Sequence, residues 1–327
     1  MLHAISSGES LSSYPMSPEE VHNKRILISP LNWGMGHVAR CIPLIDQLLK
    51  QDNQIIVASD ESQLKIFTKY FPNLETVIHE GYPFRFGEKG NFALDLAARF
   101  LALNKRLKDE LKETEILVKK YSIDLVISDH RYGFRSNDVP SICLCHQLNL
   151  PVRALEGWVQ RIHHGYLRRF TQIWVPDFHD SHLAGELSKN NVEFNVEYIG
   201  PLSRFSRYKD RPVKDIEELV IISGPLIYGE KFLNQIVSTP RKTSLTVIVS
   251  DTLYEKYDKS LTDQDKIALL SSKDWLVCDQ TIMRAKKIIS RSGYSTLMDL
   301  HYLGIPYDLS ATPGQREQEY LLELWDK

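Results

Sequence analysis

The residues best suited to chemistry lie in segment 288–300, where an apolar run meets a glycine and several hydroxyl side chains. The pattern predicts a short buried strand, a turn at Gly293 and a helix capped by Ser295 or Thr296. The first N–H groups of such a helix lack intrahelical partners, and the helix dipole favours a nearby negative charge by about 0.3–1 kcal/mol. This helix start is suited to binding phosphate. Asp299 follows one helical turn later, where its carboxylate could accept hydrogen bonds from ribose hydroxyls.

A second loop-to-helix junction, 312–319, follows and is dense in amide and carboxylate side chains. Amide and carboxylate groups form hydrogen bonds with sugar hydroxyls. Phosphate binding at one helix start and sugar binding at the next together predict a nucleotide-sugar site.

The composition is typical of a soluble globular protein. Hydrophobic residues make up 43% of the 327 residues and charged residues 25%, which is enough material for two domains. A net charge of −2 argues against a nucleic-acid partner, and no apolar run is long enough to span a bilayer. Residues 1–23 lack the apolar core of a secretory signal and are predicted to be a flexible extension. The four cysteines are scattered, as expected for reduced thiols in the cytoplasm.

The glycine loop after the first predicted strand is the candidate site of the first half. Strand 24–30 leads into Gly34, Gly36 and His37, and then into an amphipathic helix at 38–50. The two glycines allow a tight turn and a close approach of ligand to backbone. Because the third glycine of a dinucleotide fingerprint is missing, we do not expect a nicotinamide cofactor.

Apolar runs separated by helical patterns predict two α/β domains with parallel sheets. We expect a first domain over 24–201, a linker over 202–216 and a second domain over 217–327. Further helices are predicted at 61–70 and 94–121. The strands are predicted at 24–30, 54–59, 123–128, 141–144, 173–177 and 197–201 in the first domain, and at 219–222, 245–250, 275–278, 288–290 and 305–309 in the second.

Two further features of the first domain have open alternatives. Asp129 directly follows strand 123–128, and ligands of open α/β sheets gather beyond the carboxyl ends of the strands. Asp129 could equally cap the turn that follows. The basic, aromatic stretch 158–170 fits contact with an anionic membrane surface or a polyprenyl acceptor. A basic helix that packs by its apolar side explains the same residues, and we prefer that interpretation.

Five motifs in this order resemble the MurG-like glycosyltransferases, a family of inverting enzymes with the GT-B fold. They cover most of the chain from Lys24 onward and are Gly34–His37, Gly200–Leu202, Ser223–Pro225, Ser290–Leu300 and Pro313–Glu319. The likeness is to uncharacterised bacterial relatives, because the glycine loop of MurG itself has an additional glycine. The resemblance implies two Rossmann-like, doubly wound domains that face each other across a cleft.

The resemblance also implies roles for individual residues. In the second domain, Asp299 would bind the ribose and the residues around Gly293 the diphosphate. His37 would face the donor phosphate and the acceptor. For the catalytic base, His37 has a suitable reference pKa and Asp129 a suitable strand end, and we favour His37. A buried structural histidine that only orients the glycine loop is the alternative for His37. The donor-binding candidates are Gly34, Gly36, Ser223, Gly224, Arg291, Gly293, Ser295, Thr296 and Asp299, together with Gln315, Gln318 and Glu319 for the donor sugar.

The implied reaction moves a sugar from a UDP-sugar, with UDP-N-acetylglucosamine as first candidate, to a hydroxyl of a lipid or glycan. Members of the family need no metal ion, and the D-x-D motif at 263–265 is interpreted as a helix start. The implied location is the cytoplasm, with peripheral contact at the inner face of the membrane.

Two other functions are compatible with the same fold. One is a nucleotide-sugar 2-epimerase, which would need several carboxylates and histidines in the cleft. The other is an inactive nucleotide-sugar-binding relative. The sequence ends soon after a helix that begins near Gln315, so we expect a shortened second domain that lacks the helix by which GT-B enzymes clamp their domains together.

Overall fold

The computed structural model describes residues 16–82, 92–151, 157–240, 243–262 and 266–326. The described chain forms two α/β domains, each built on a parallel sheet. The apolar runs at 25–30 and 125–129 become central strands that are buried on both faces, as expected for sheets covered by helices.

The first sheet has the strand order β3-β2-β1-β4-β5-β6-β7, and all its neighbouring pairs are parallel. The reversal of strand order between β1 and β4 is the point at which open α/β sheets bind ligands. The strands are β1 (Arg25–Pro30), β2 (Gln54–Ser59), β3 (Glu75–Ile78), β4 (Leu125–Asp129), β5 (Ser141–Leu144), β6 (Gln172–Val175) and β7 (Val196–Tyr198); the helices are α1 (Met35–Leu49), α2 (Glu61–Tyr70), α3 (Phe92–Tyr121) and α4 (Gly157–Leu167).

The second sheet has the order β10-β9-β8-β11-β12 and is also parallel throughout. Its strand order reverses between β8 and β11, so the loops after these two strands lie side by side at the carboxyl edge. The strands are β8 (Ile216–Ile221), β9 (Leu245–Val249), β10 (Ile267–Ser271), β11 (Ala285–Arg291) and β12 (Tyr307–Ser310); the helices are α5 (Leu226–Ser238), α6 (Asp251–Thr262), α7 (Trp275–Met283), α8 (Tyr294–Leu303) and α9 (Arg316–Trp325).

The segment between the sheets is packed against both domains. It contains a short 3-10 helix at Arg204–Arg207, and the guanidinium of Arg204 donates to Asp279 at 2.7 Å and also bonds Asp299. The largest apolar cluster is continuous across the domains, from Ile42 in α1 to Leu297 in α8. The two domains are therefore in direct contact along one side of the cleft.

The structure corrects three expectations from the sequence. The strand predicted at 275–278 is the first turn of α7, because the Asp274 side chain caps that helix by accepting from two backbone N–H groups. The flexible extension was predicted over 1–23, of which residues 1–15 lie outside the described residues. Residues 16–23 are held to the first domain: the Met16 carbonyl accepts from Trp174 at 2.8 Å, and Val21 is buried.

The third correction concerns clamping between the domains. The final described helix, α9, contacts the first domain directly, although no helix that clamps the domains together was expected. The Tyr320 hydroxyl accepts from the backbone N–H of Glu186 at 2.8 Å, and the Trp325 indole donates to the Leu183 carbonyl at 2.9 Å. Helix α9 therefore closes the second domain onto the first.

Candidate functional site

The carboxyl edges of the two sheets meet where the start of α1 faces the start of α8. The Ser295 hydroxyl donates to the Gly36 carbonyl at 2.9 Å across the domains. A Cβ atom at position 36 would lie 2.7 Å from the Ser295 Oγ, so glycine is required for this close approach. Gly34 is exposed, and a Cβ there would have no neighbour within 4 Å.

His37 and Asp129, the two catalytic candidates, are brought into contact at this edge. His37 lies in the first turn of α1 and Asp129 at the end of β4, and the His37 Nδ1 is 3.0 Å from the Asp129 Oδ2. Asp129 is fully buried, whereas the His37 side chain is 18% exposed. The carboxylate is thus placed to orient an imidazole that is still partly exposed.

Arg40, one helical turn after His37, completes this group. Its guanidinium is fully buried, donates from Nε to the Asp129 Oδ2 at 2.9 Å, and binds the other carboxylate oxygen through Nη2. Burial by itself would raise the pKa of Asp129, but Arg40 and His37 outweigh it and hold the pKa well below its usual range. Asp129 is therefore a permanent carboxylate and an unsuitable proton acceptor, which leaves His37 as the candidate base.

The protonation of His37 depends on its two neighbours. Burial lowers its pKa most; Asp129 raises it, Arg40 lowers it again, and the net direction is downward. The ring is therefore neutral near pH 7. Its Nδ1 also lies 2.8 Å from the Arg40 Nη2, and one nitrogen cannot both donate to the carboxylate and accept from the guanidinium. Only the tautomer that donates from Nδ1 to Asp129 leaves Nε2 free to accept a proton.

The loop that carries Asp129 is fixed by a buried arginine. The Arg131 side chain donates to the Glu110 carboxylate at 2.7 Å, to the Ser29 hydroxyl at 2.9 Å and to the His79 Nδ1 at 2.8 Å. A guanidinium with this many charge-assisted bonds has little freedom to move. Its contacts hold the turn after β4 against β1 and α3.

His146, which follows β5, connects this group to the second domain. Its Nδ1 lies 3.1 Å from the Arg40 Nη1, and its Nε2 lies 2.9 Å from the Glu317 Oε1 at the start of α9. Tyr294, the first residue of α8, stacks on the His146 ring with centroids 4.1 Å apart and planes 9° apart. The Tyr294 hydroxyl donates to the Pro176 carbonyl at 2.6 Å. Two elements of the second domain therefore hold a histidine of the first.

His130 occupies the other side of His146. It has a left-handed backbone conformation, with φ of 57°, which is uncommon for a residue other than glycine. Its ring centroid lies 5.5 Å from that of His146 and 5.6 Å from that of His37, and burial lowers its pKa. Its buried Nε2 has no hydrogen-bond partner within the described part of the chain.

The helix start predicted at Gly293 is present, but the helix begins earlier than expected, and phosphate binding there remains a prediction. Gly293 is the N-cap of α8, without a side-chain cap, so the predicted capping by Ser295 or Thr296 is wrong. The Ser295 hydroxyl instead bonds Gly36 across the cleft. Because no side chain caps the first N–H groups of α8, these groups can still bind a ligand.

Ser223, Gly224 and Arg291 lie beside this helix start, at the carboxyl edge of the second sheet. Ser223 and Gly224 are exposed in the loop after β8, where Gly224 has a φ of 92° that favours glycine. Arg291 ends β11 and donates to the Ala311 carbonyl at 2.6 Å, while its guanidinium lies 4.1 Å from the centroid of the Phe232 ring. These residues are at the edge where the sequence placed them, and their predicted donor contacts remain predictions.

The residues predicted to face the donor sugar are bonded to their own loop. The Gln318 Oε1 accepts from the backbone N–H of Thr312 at 2.8 Å, and its amide donates to the Gln315 Oε1 at 2.6 Å. The Glu319 carboxylate accepts from the N–H of Gly314 at 3.0 Å. These three side chains shape the loop before α9, whereas Glu317 of the same segment contacts His146 of the first domain.

The structure does not support the ribose contact predicted for Asp299. Its side chain is largely buried, with one oxygen accepting from the Ser203 hydroxyl at 2.7 Å and the other from Arg204. Burial raises its pKa to about 6, against the opposing effects of Arg204 and Ser203. Asp299 therefore ties α8 to the segment between the domains.

Sequence reasoning missed Arg40, His146 and Glu317. A signal existed for Arg40, a lone charge in the apolar stretch of α1, and for His146, which follows a strand as Asp129 does. Glu317 lies among several amide and carboxylate residues, and only the spatial arrangement shows which of them faces the first domain.

Two other predicted features can be placed. The stretch 158–170 forms α4 and the turn after it, with Val159 and Tyr166 buried and Arg161, Arg168 and Arg169 exposed, which confirms that the helix packs by its apolar side. Among the described residues, no helix is long and apolar enough to cross a membrane. The D-x-D motif at 263–265 lies outside the described residues. Within the described residues, no group of three or more His, Cys, Asp or Glu side chains could hold a metal ion.

Comparisons with known proteins agree on the architecture. The crystal structure of the glycosyltransferase of kitacinnamycin is similar to this chain with a TM-score of 0.59 and 14% identity, covering 93% of this chain and 85% of the other. The structure of S. aureus MnaA with UDP has a TM-score of 0.57 and 12% identity, covering 93% and 88%. The chain has the two-domain GT-B fold. The fold predicted from the sequence is thereby confirmed.

Sequence comparison gives one curated relative. A protein of Methanosarcina mazei, described as an uncharacterized glycosyltransferase, is 22% identical over 90% of this chain and 81% of its own length. No family model matches the chain.

Proposed function

We propose that this protein is an inverting, metal-independent glycosyltransferase. It moves a sugar from a UDP-sugar, with UDP-N-acetylglucosamine as first candidate, to a hydroxyl group of a lipid or glycan. The single observation that carries this proposal is the contact of His37 with Asp129 at the sheet edge that faces the start of α8. The description of the Methanosarcina mazei relative and the likeness to glycosyltransferase structures support the same activity.

In the proposed reaction the acceptor hydroxyl attacks the anomeric carbon of the donor from the face opposite the leaving group. The bond between that carbon and the diphosphate oxygen breaks, so the configuration inverts. The acceptor proton passes to the His37 Nε2, while the hydrogen bond from Nδ1 to Asp129 stabilises the resulting imidazolium. General-base catalysis of this kind typically contributes about 10²–10⁴-fold.

The departing nucleoside diphosphate is bound at the start of α8 in this proposal. The uncapped N–H groups after Gly293 and the helix dipole stabilise the negative charge that develops on the leaving oxygen. Exposed Ser223 and Gly224 approach the diphosphate from the neighbouring loop. UDP in the MnaA structure supports a nucleotide site on this fold.

An acceptor carried by a lipid would place part of the first domain near a membrane surface. Helix α4 exposes Trp158 and Arg161, and Arg168 and Arg169 follow it, a combination suited to anionic lipid headgroups. The contact is peripheral and leaves the cleft facing the cytoplasm.

The test is UDP release from a panel of UDP-sugars, with and without polyprenyl-phosphate, lipid and glycan acceptors. Release that depends on an acceptor, persists in EDTA and gives a product of inverted anomeric configuration supports the proposal. Failure of every donor and acceptor pair in a folded protein that binds UDP by calorimetry would favour an inactive relative instead.

A nucleotide-sugar 2-epimerase is the second candidate, and one observation favours it. The cleft contains more carboxylates and histidines than the sequence indicated, since His146, His130 and Glu317 join His37 and Asp129. Conversion of a UDP-sugar into its epimer in the absence of any acceptor, followed by NMR, would decide for this alternative.

A further inference from the structure

The described side chains form one unbroken chain of polar contacts from α9 of the second domain to the candidate base. It runs from Glu317 through His146, Arg40 and Asp129 to His37, with contacts of 2.9 Å, 3.1 Å, 2.9 Å and 3.0 Å in that order. It enters the first domain through His146, which touches the second domain in two ways.

The direction of the hydrogen bonds along this chain follows from which groups can donate. A guanidinium has no acceptor, so the Arg40 Nη1 donates to the His146 Nδ1. The His146 proton must then be on Nε2, from which it is donated to Glu317. Glu317 accepts as a carboxylate: burial raises its pKa, but the bond from His146 and nearby positive charges outweigh burial and lower it.

The orientation of Arg40 bears on the tautomer of His37, because Asp129 and Arg40 both lie within hydrogen-bond distance of the His37 Nδ1. The Arg40 Nη1 is held by His146, and this keeps Nε and Nη2 directed at Asp129, leaving the carboxylate to accept from the His37 Nδ1. The Arg40 Nη2 already forms a 2.8 Å contact with the His37 Nδ1, so this nitrogen has two competing partners in the closed structure. Were Arg40 to lose His146 and turn further toward His37, the balance would move in favour of the guanidinium. The His37 proton would then be on Nε2, and the ring could not act as a base.

Two of the contacts that hold His146 come from the second domain and need that domain in its present position. Glu317 and Tyr294 both belong to the second domain, and the Tyr294 ring covers His146 at a centroid distance of 4.1 Å. Separation of the domains would remove the Glu317 bond and the Tyr294 stack together, leaving Arg40 its contacts within the first domain.

We propose that His146 and Glu317 are positioning residues that couple closure of the two domains to the tautomer of His37, so that the base is competent only in the closed state. The catalytic consequence of this inference rests on the proposed function. The control of the His37 tautomer does not depend on that function. Neither residue is assigned contact with the reacting atoms.

The first experiment uses the full chain with isotope-labelled histidine and measures imidazole nitrogen shifts of His37. The variant is Glu317→Ala, and the matched control is Glu323→Ala, an exposed glutamate on the same helix. We expect His37 in Glu317→Ala to shift toward the Nε2–H tautomer, the control to match the wild type, and Glu317→Gln, which keeps an acceptor for His146, to give an intermediate spectrum. Identical His37 signals in Glu317→Ala and Glu323→Ala would overturn the proposal.

The second experiment measures transfer kinetics with any donor and acceptor pair found active. We expect Glu317→Ala to lower kcat by roughly 10–100-fold, as for a misplaced catalytic group, with the KM for UDP-sugar changed by less than about threefold. Combining His146→Gln with Glu317→Ala should cost no more than the worse single change, because both break one chain of contacts. Additive losses would contradict the coupling.

The two experiments separate failure of the coupling from failure of the proposed function. A tautomer shift in a protein without transferase activity would support the coupling and remove the proposed function. Full activity of Glu317→Ala in a wild-type enzyme shown to transfer sugar would remove the coupling and leave the function in place.

Discussion

Replacement of Gly36 by alanine should open the cleft without weakening the first domain. The added Cβ would lie 2.7 Å from the Ser295 Oγ and 3.2 Å from its Cβ, well inside normal contact distance. Ser295 must rotate or move away, which breaks its 2.9 Å bond to the Gly36 carbonyl. A lost hydrogen bond costs about 1 kcal/mol, and an unfavourable rotamer costs about 0.5–1.5 kcal/mol.

The closed state should therefore lose about 1.5–2.5 kcal/mol, which is roughly a 10–70-fold change in the equilibrium between closed and open domains. Within helix α1 alanine is favoured over glycine by up to about 1 kcal/mol, so the free energy of unfolding of the first domain should hold or rise. Small-angle X-ray scattering measures the opening, and urea unfolding measures stability.

Gly34→Ala is the matched control for closure. Its backbone is extended, and a Cβ there meets no atom within 4 Å, so its scattering curve should match the wild type. In a Ser295→Gly background, which removes both crowding atoms, Gly36→Ala should cause no further opening. A Gly36→Ala protein as closed as Gly34→Ala would refute the argument that these helix starts are in tight contact.

Two further changes test the second domain. Asp299→Asn should leave UDP affinity within about twofold by calorimetry, since Asp299 is bound to Arg204; a tenfold loss would restore the predicted ribose contact. The pKa of Asp299 is raised to about 6 from an ordinary 3.8, so the folded chain binds more protons than the unfolded chain between these pH values. The unfolding free energy of the wild type relative to Asp299→Asn should therefore fall by up to roughly 3 kcal/mol from pH 4 to 7, as measured by urea titration. A rise over this range would contradict the raised pKa. Tyr294→Phe leaves the buried Pro176 carbonyl without its 2.6 Å donor and should lower the unfolding free energy by about 1–3 kcal/mol, whereas an unchanged value would show that the interdomain bond contributes nothing.

Much of the fold could be predicted because local signals agree with it. The strands at 54–59 and 141–144 and the helix at 61–70 have the predicted bounds, the last because Asp60 caps it and accepts from the Gln63 N–H. The strand predicted at 275–278 was wrong because a short apolar run is compatible with either a strand or a helix. Strands β3 and β10, which were not predicted, form sheet edges and are only partly buried.

The site could be predicted only in part, since contacts across the cleft leave little trace in a single sequence. His37 and Asp129 were found from strand ends and a glycine loop. Asp299 was assigned to a ribose from its spacing within a helix, but spacing says nothing about the segment that packs there, where Arg204 takes the carboxylate. His146 and Glu317 are 171 positions apart and meet only when the second domain lies against the first.

The most direct test of the central claim is the rate of sugar transfer by His37→Gln, measured under conditions that saturate the wild type. Glutamine can still donate to Asp129 but cannot accept a proton near pH 7. We predict a kcat reduced by about 10²–10⁴-fold with UDP affinity retained. A folded His37→Gln protein that transfers sugar at the wild-type rate would show that His37 is not the base.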